Sequence, residues 1–420
     1  MKVVIVGSGG RELALARVLG RHHQVIVTPG NPGIDHRTNE TALALAKHGW
    51  RDLVVVGPEQ PLVDGLADEL RALGVPVFGP GADGAVLEGS KPFMKGLVTA
   101  ANVPTAEYRA FSSLQVEEAT HYAAELIMNS GSCAVKTGYL KGGKGVGVFG
   151  DIARAAKDIA TKLAPQPGVE SPSIVIEAGL SGPEVSVFAI CDGTRSICLP
   201  AAQDYKRAYD GDKGPNTGGM GARSPLPFLP KGFEAVVDRK FIQPTLAELR
   251  SRGIDYRGVL YAGLMLTSDG PKLLEYNIRF GDPDSQVVLM RLAQDYDLGA
   301  LLLAAAEGDM SQVASPRFND ETAVLVVGAA EGYPESPRLG DPINGLDAAA
   351  NMPGVDVLTA GVAFASQVDG SLMTAGGRVV NVVGFGPDAG AARAKAYGAL
   401  RAIGWPGKWY RDDIALKPDT

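Results

Sequence analysis

The sequence predicts a multidomain chain of mixed α/β and α+β class. It reads as an N-terminal parallel α/β sheet, a two-lobed central domain and a small C-terminal mixed α/β domain. Three observations predict this. Fully apolar runs alternate with helical patterns early in the chain, two strand-like runs then flank a Gly-rich loop, and strand-like runs return near the end with one long helix. The length of 420 residues points to about three domains and a core that requires neither disulfides nor a metal staple. The boundaries are expected at residues 1–101, 102–316 (with a small lobe over about 113–178) and 317–420.

The first unit opens with the apolar run Val3 to Val6, which ends at Gly7-Ser8-Gly9-Gly10. A helix is predicted from Arg11 to Leu19. Val25 to Val27, Leu53 to Val56 and Val75 to Phe78 are further buried strands. Their alternation with helical stretches indicates a parallel sheet with crossover helices. Asn102-Val-Pro-Thr marks the boundary.

In the small lobe, helices are predicted at Glu117 to Ile127 and Ala153 to Leu163. Strands are predicted at Ala134 to Thr137, Val146 to Phe149 and Ser173 to Glu177. Glu184–Cys191 and Arg195–Pro200 read as an antiparallel pair. Asp204 to Pro230 reads as a long irregular stretch whose Gly pattern points to a functional loop. A helix near Glu234–Arg250, strands near Val259–Leu266 and Lys272–Ile278, and a helix near Gln286–Glu307 complete the central domain. In the last unit, strands are expected at Ala323–Val327, Val355–Val357, Leu372–Thr374 and Val379–Val383, with a helix at Asp388–Ala402.

Charge and cysteine content exclude several classes. The formal net charge is −7, with no basic tail, so nucleic acid is not an expected partner. No apolar run reaches membrane-spanning length. Met1 to Gly7 is a strand entering a turn and too short for a signal-peptide core. Cys133, Cys191 and Cys198 form no Cys-x-x-Cys pair, which fits a reducing cytoplasm. His22 and His23 read as surface residues and His121 as a helix-face residue. None has a ligand-spaced partner, so zinc is not expected.

The stretch 273–285 carries the clearest chemistry. Glu275, Asn277 and Arg279 alternate on one strand and share a face, while Leu274, Tyr276 and Ile278 face a core. A carboxylate beside an amide oxygen suits Mg²⁺ or Mn²⁺. An arginine one step on suits a carboxylate or phosphate. Phe280-Gly281-Asp282-Pro283 reads as a pre-shaped turn, with Asp282 facing substrate. Metal, anion and spacing together suggest ATP-dependent activation of an acid.

Four further segments complete the reading. Gly9, Gly10 and Arg11, at the end of the first strand, form a turn able to cradle a small phosphorylated substrate at a helix N-terminus. Glu59, ending another strand at the same sheet edge, is placed to hold sugar hydroxyls. The second strand has no acidic residue at its end to hold a ribose, which disfavours NAD. Lys136-Thr-Gly138-Tyr-Leu-Lys141-Gly142-Gly143-Lys144-Gly145 nearly spells a P-loop. Gly145 stands where Ser or Thr would hold Mg²⁺, and a strand follows instead of a helix. It reads as a flap closing over phosphates, with Lys136 projecting from the strand and Lys144 from the flap. Glu177, Ala178, Leu180 and Glu184 suit an adenosine: Glu177 accepts from the exocyclic amine, the Ala178 and Leu180 backbones meet the ring edge, and Glu184 takes the ribose. Asp204-Tyr205-Lys206-Arg207, then Asn216, Thr217, Gly218 and Gly219, suits an anionic reaction centre. There Lys206 and Arg207 neutralise charge as a phosphoryl group moves.

In this order, the motifs resemble the phosphoribosylamine–glycine ligase (glycinamide ribonucleotide synthetase) family of the ATP-grasp superfamily. The resemblance covers essentially the whole chain. It includes Gly7–Glu12, Pro29–Gly33, Val56–Glu59, Glu88–Lys91, Pro104–Tyr108, Gly214–Gly221, Tyr261–Met265 and Asn277–Pro283. It implies a pre-ATP-grasp domain followed by a two-lobed ATP-grasp domain. It also implies ATP as cofactor with Mg²⁺ or Mn²⁺, small-molecule amino acid and phosphorylated amine partners, and a monomer or homodimer. By the same resemblance, Lys91 and Lys136 contact ATP phosphates, Glu275 and Asn277 bind the metal, Arg279 and Asp204 orient the amino acid, and the Gly7–Arg11 turn receives the sugar phosphate. The chain departs from the family pattern at Leu13 and Tyr205 (usually His), Arg223 (usually aromatic), Asp284 (usually Glu) and across the flap at Thr137, Gly138, Tyr139, Lys141 and Gly142. These departures keep open a specialised paralogue that joins a different amino acid or amine in secondary metabolism. A dinucleotide-binding oxidoreductase or a noncatalytic nucleotide sensor stands further off.

Overall fold

The computed structural model describes residues 1–140, 145–165, 168–169 and 171–416. The first sheet is parallel throughout, in the order Gln24–Pro29, Lys2–Gly7, Leu53–Val56, Val77–Phe78. Leu53–Val56 is buried along its whole length, as a parallel strand covered on both faces must be. The helix Gly10–Leu19 starts directly at the end of the first strand, which puts the Gly turn at the sheet's carboxyl edge.

The small lobe is a four-stranded antiparallel sheet, ordered Tyr108–Ser112, Ser173–Ala178, Cys133–Thr137, Val146–Phe149. Helices Val116–Ser130 and Ile152–Leu163 supply Tyr122, Leu126, Ile159 and Leu163 to its core. The larger lobe is also antiparallel, ordered Ser196–Cys198, Glu184–Asp192, Arg257–Thr267, Gly270–Asn277. Lys136 on one lobe and Glu275 on the other therefore face each other across a cleft.

The stretch 204–230, expected to be irregular, contains four short strands instead. Gln203–Asp204 and Gly221–Ser224 join the last unit's sheet, ordered Gln203–Asp204, Gly221–Ser224, Thr322–Ala329, Arg378–Gly386, Val355–Thr359. Gly221–Ser224 is wholly buried. A strand reading Gly-Ala-Arg-Ser has no apolar alternation, and tertiary pairing overrides its weak propensity. Arg207–Tyr209 and Lys213–Asn216 form a separate two-stranded hairpin.

Two expected helices are interrupted. The run 233–251 passes through a π-helical turn at Asp238–Ile242, just ahead of Pro244, whose nitrogen cannot donate a helical bond. The run 284–307 divides into Asp284–Leu289 and Leu298–Glu307, and Asp297 caps the second by accepting from the Ala300 N–H. The His23 side chain, expected at the surface, is 7% exposed and paired with Asp297 at 2.7 Å. Among the described residues, no helix is long and apolar enough to cross a membrane.

Candidate active site between the lobes

A cavity of about 750 Å³ opens where the first sheet's edge, both central lobes and the C-terminal unit meet. Its nucleotide side is built on adjacent strands. Lys136, on Cys133–Thr137, points its ammonium to the Glu177 carboxylate at 2.8 Å and donates to the Leu274 carbonyl at 3.1 Å. Glu177 is buried, and its other oxygen lies 2.9 Å from Lys95, a residue not assigned a role from sequence. Lys95 is fully enclosed and donates to Thr105 Oγ1 at 2.6 Å. Burial lowers its pKa to about 8, with Glu177 pulling the other way. Two ammonium groups thus share one carboxylate, leaving one positive charge at this wall of the cavity.

Each Glu177 oxygen already faces a lysine, and the Ala178 N–H donates to the Glu107 carbonyl at 2.9 Å. Glu177, Ala178 and Leu180 all line the cavity. Glu184 also lines it, but its carboxylate is paired with Lys206 at 2.9 Å. Lys91, the first residue of helix Lys91–Ala100, reaches the same cavity. Gly143 and Lys144, expected in the flap, lie outside the described residues, as do Lys141 and Gly142.

Glu275 and Asn277 sit on Gly270–Asn277 opposite Gly263 and Tyr261 and line the cavity together. Burial alone would raise the Glu275 pKa. Lys91, Lys206, Lys136 and Arg279 outweigh that and hold it at about 2. The carboxylate therefore stays ionised, which fits a hard divalent cation shared with phosphate oxygens. Among the described residues no cluster of three or more His, Cys, Asp or Glu side chains is placed to hold a metal alone. An acid–amide pair completed by a polyphosphate fits that donor set.

Arg279 does not stand free. Its Nε donates to Glu59 at 3.2 Å and its Nη2 to Glu88 at 3.1 Å. Burial would lower the guanidinium pKa, but Glu88 and Glu59 raise it above its usual value. Glu59, expected to hold sugar hydroxyls, thus has Arg279 as its partner. Burial lifts the Glu88 carboxyl, against Arg279.

The Gly turn also differs from expectation. Glu12 Oε2 accepts the Gly9 N–H at 2.6 Å, and Glu12 Oε1 accepts from Arg11 Nε at 2.7 Å. A buried carboxylate occupies the inside of the turn where a phosphate was expected. A Cβ at Gly10 would collide with the Asn381 amide, so that glycine answers to a close approach by the C-terminal unit. Arg11 lines the cavity and donates to the Phe280 carbonyl at 2.9 Å.

The remaining expected residues converge. Asp204, Lys206 and Arg207 line the cavity, as do Asn216, Thr217 and Gly218. Burial pushes the Asp204 carboxyl up to about 7, with Lys206 opposing. Thr217 returns its N–H and hydroxyl to the Lys206 carbonyl at 2.8 and 2.9 Å. Gly219 follows in the left-handed region, packed on Pro283, and its N–H donates to Thr217 Oγ1. Asp282 lies against Arg378 of the C-terminal unit, whose Nη2 donates to its Oδ2 at 3.1 Å.

Sequence reasoning assigned no role to Lys95 or Arg378, named Glu88 and Tyr261 only within motifs, and noted Asp284 only as a departure. A signal existed for Lys95: it sits on the buried face of its helix with Met94, Leu97 and Val98, where a charge needs a partner. Asp284 is buried, and its Oδ2 has no hydrogen-bond partner among the described residues. Of the positions that depart from the family pattern, Leu13 packs in the core, and Arg223 is buried, donating to Gln203 and lying over Phe228.

The phosphoribosylglycinamide synthetase N domain, ATP-grasp (A) domain and C domain match residues 1–88, 89–285 and 323–417. A phosphoribosylamine–glycine ligase of Streptomyces coelicolor is 44% identical over 436 residues, 99% of each chain. One from Caulobacter vibrioides is 43% identical over 432 residues, 99% of this chain and 98% of that one. The crystal structure of a phosphoribosylamine–glycine ligase from Thermotoga maritima superposes with a TM-score of 0.83 at 32% identity, covering 99% of this chain and 100% of that one. A biotin carboxylase from Campylobacter jejuni shares the fold, with a TM-score of 0.71 at 14% identity over 97% of this chain and 92% of that one. The chain is an ATP-grasp enzyme and belongs to the phosphoribosylglycinamide synthetase family.

Proposed function

We propose that the protein joins glycine to 5-phosphoribosylamine, with ATP cleaved to ADP and phosphate. A carboxylate oxygen of glycine attacks the γ-phosphorus, ADP leaves, and an acyl phosphate forms. The amine of phosphoribosylamine then attacks the acyl carbon. Phosphate leaves, the nitrogen gives up a proton, and glycinamide ribonucleotide results. The observation that carries this reading is the Glu275–Asn277 pair facing Lys136 across one cavity, with Glu275 kept ionised by four surrounding cations.

In this reading Lys91 and Lys136 hold the ATP phosphates, and Leu180 borders the adenine. A divalent cation on Glu275 and Asn277 would supply charge neutralisation for the phosphoryl group. Lys206 and Arg207 face the transferring phosphoryl and screen the charge that develops on it. Asp204 and the unpartnered Asp284 suit the ammonium of the amino acid, since a buried carboxylate oxygen without a donor is stabilised by one. The Gly9–Arg11 edge, Glu59 and Asp282 border the phosphoribosylamine, with Asn216 to Gly219 closing the other side. A cavity walled by three units keeps water from the acyl phosphate. The three free cysteines are in keeping with a reducing cytoplasm.

A coupled ADP-release assay over panels of amino acids and amines tests the proposal. ADP formation is expected only with glycine and phosphoribosylamine together with Mg²⁺ or Mn²⁺. Turnover confined to another pair would overturn it. Asp284 favours keeping larger amino acids in the panel, because its side chain is one methylene shorter than the Glu of the family pattern.

A further inference from the structure

The hairpin Arg207–Tyr209/Lys213–Asn216 forms one wall of the cavity, yet among the described residues it belongs to no larger sheet. A lone two-stranded hairpin is marginal in water. Its position must come from elsewhere, and the structure shows where. Residues 411–415 clasp its tip. Arg411 Nη1 donates to the Arg207 carbonyl at 3.0 Å and to Asp212 Oδ1 at 2.9 Å. Asp413 Oδ2 accepts the Gly211 N–H at 2.8 Å, and Asp210 Oδ1 accepts the Asp412 N–H at 2.9 Å. The Ala415 N–H donates to the Tyr205 hydroxyl at 3.1 Å, and the Tyr205 ring lies under Arg411.

The clasp is itself anchored. Tyr397, on helix Ala389–Ala402, donates its hydroxyl to the Arg411 carbonyl at 2.6 Å and accepts the Ile414 N–H. Arg393 of the same helix donates to the Ile414 and Asp412 carbonyls. Arg411 is 1% exposed and is held by Asp413 as well as Asp212. Removing this buried guanidinium frees Asp212, which is 61% exposed, from the clasp and leaves the more enclosed Asp413 without its paired donors. Tyr205 replaces an imidazole of the family pattern and spends its hydroxyl on the clasp.

We propose that Arg411 is a positioning residue for the ligase reaction: through Asp212 and the Arg207 carbonyl it fixes the hairpin that carries Lys206, Arg207 and Asn216 into the cavity. The inference rests on the proposed function for what those residues meet, but not for the mechanical link. Lys91 heads a helix, Lys136 lies on Cys133–Thr137 and Leu180 follows Ser173–Ala178, so none of the three belongs to the hairpin or to residues 411–415.

The test uses the full chain with Arg411→Met, Asp212→Asn and the double variant. Asn tolerates the left-handed backbone that Asp212 adopts, so Asp212→Asn removes the charge without straining the turn. Turnover is read with glycine and phosphoribosylamine, affinity with Mg–ADP, and backbone mobility by hydrogen exchange. In Arg411→Met, kcat is expected to fall about 30-fold, within the range that a displaced reacting group produces. The Mg–ADP Kd stays within about threefold, a difference of less than 1 kcal/mol. Exchange accelerates across 205–220 while the lobe 108–178 is unchanged, and the double variant is no worse than Arg411→Met. The proposal is overturned by unchanged exchange at 205–220, or by a kcat loss that only follows a loss of folded protein. If the wild type is silent with this substrate pair, the proposed function fails while the exchange measurement still decides the clasp.

Discussion

The two sides of the cavity are built differently. On the side where the nucleotide is proposed to bind, charged side chains hold one another: Lys95, Glu177 and Lys136 in a chain, with Glu275 ringed by cations. On the acceptor side, backbone shape prevails. There Glu12 fills the Gly turn, Asn381 crowds Gly10, and a clasped hairpin brings in Lys206 and Arg207. The difference teaches that residue type announces a site when side chains form it. A glycine announces only that something comes close, without saying what.

The largest effect is expected on the nucleotide side. Glu275→Ala should lower ADP formation about a thousandfold, roughly 4 kcal/mol in the barrier, because the metal pair loses its charged member. The unfolding midpoint should hold. A folded variant with wild-type turnover would break the comparison outright. Lys95→Met should lower kcat/KM for ATP about a hundredfold, comparable to removing one preorganised charge-stabilising donor. Lys95 touches no cavity space, so this loss would show that the buried ammonium acts by holding Glu177 and Lys136 in place.

The pH dependence follows with its sign. Lys95 has a folded-state pKa of about 8, below its usual 10.5. As pH rises through about 8, the triad loses its net positive charge, and kcat/KM for ATP should fall. Fold stability should change the opposite way. Between about 8 and 10.5 the unfolded chain holds a proton that the folded one has released, so stability from this group rises with pH. A stability profile that fell over the same interval as activity would exclude Lys95 as the cause.

The fold and the meeting of Lys136, Glu275 and Asn277 at one cavity were legible in the sequence because their signals are periodic or chemical. Apolar runs marked the first sheet, and Glu275, Asn277 and Arg279 alternated on a strand. The strand Gly221–Ser224 was hidden because its burial comes from pairing with Thr322–Ala329 and from Ile414, far away in sequence. Glu59 and Arg279 each suited a substrate on its own, and only the fold shows that they meet, with Glu88 as third member. Arg378 gave no local signal, since its contact with Asp282 exists only once the central and C-terminal units meet.

On the acceptor side, Asp284→Asn should raise the KM for the amino acid about 30-fold while leaving the KM for ATP unchanged. Loss of a charge-assisted bond of about 2 kcal/mol gives that factor. Equal losses for both substrates would mean that Asp284 shapes the whole cavity and not one subsite, which would blur the contrast between the two sides.

The smallest effect on activity is expected at Leu13, where the family pattern has an imidazole. Leu13 is 5% exposed and packs in the core that runs from the first sheet to helix Leu298–Glu307. Leu13→His places a polar ring in that core and should lower stability by about 1–3 kcal/mol, the penalty for a buried group without a partner. Turnover per folded molecule should stay within about threefold, because less than 1 kcal/mol of barrier is at stake. Urea midpoints and kcat at saturating substrates separate the two quantities. A large rise in turnover with phosphoribosylamine would mean that the acceptor side, too, awaits a chemical group, and that backbone shape is only half of what builds it.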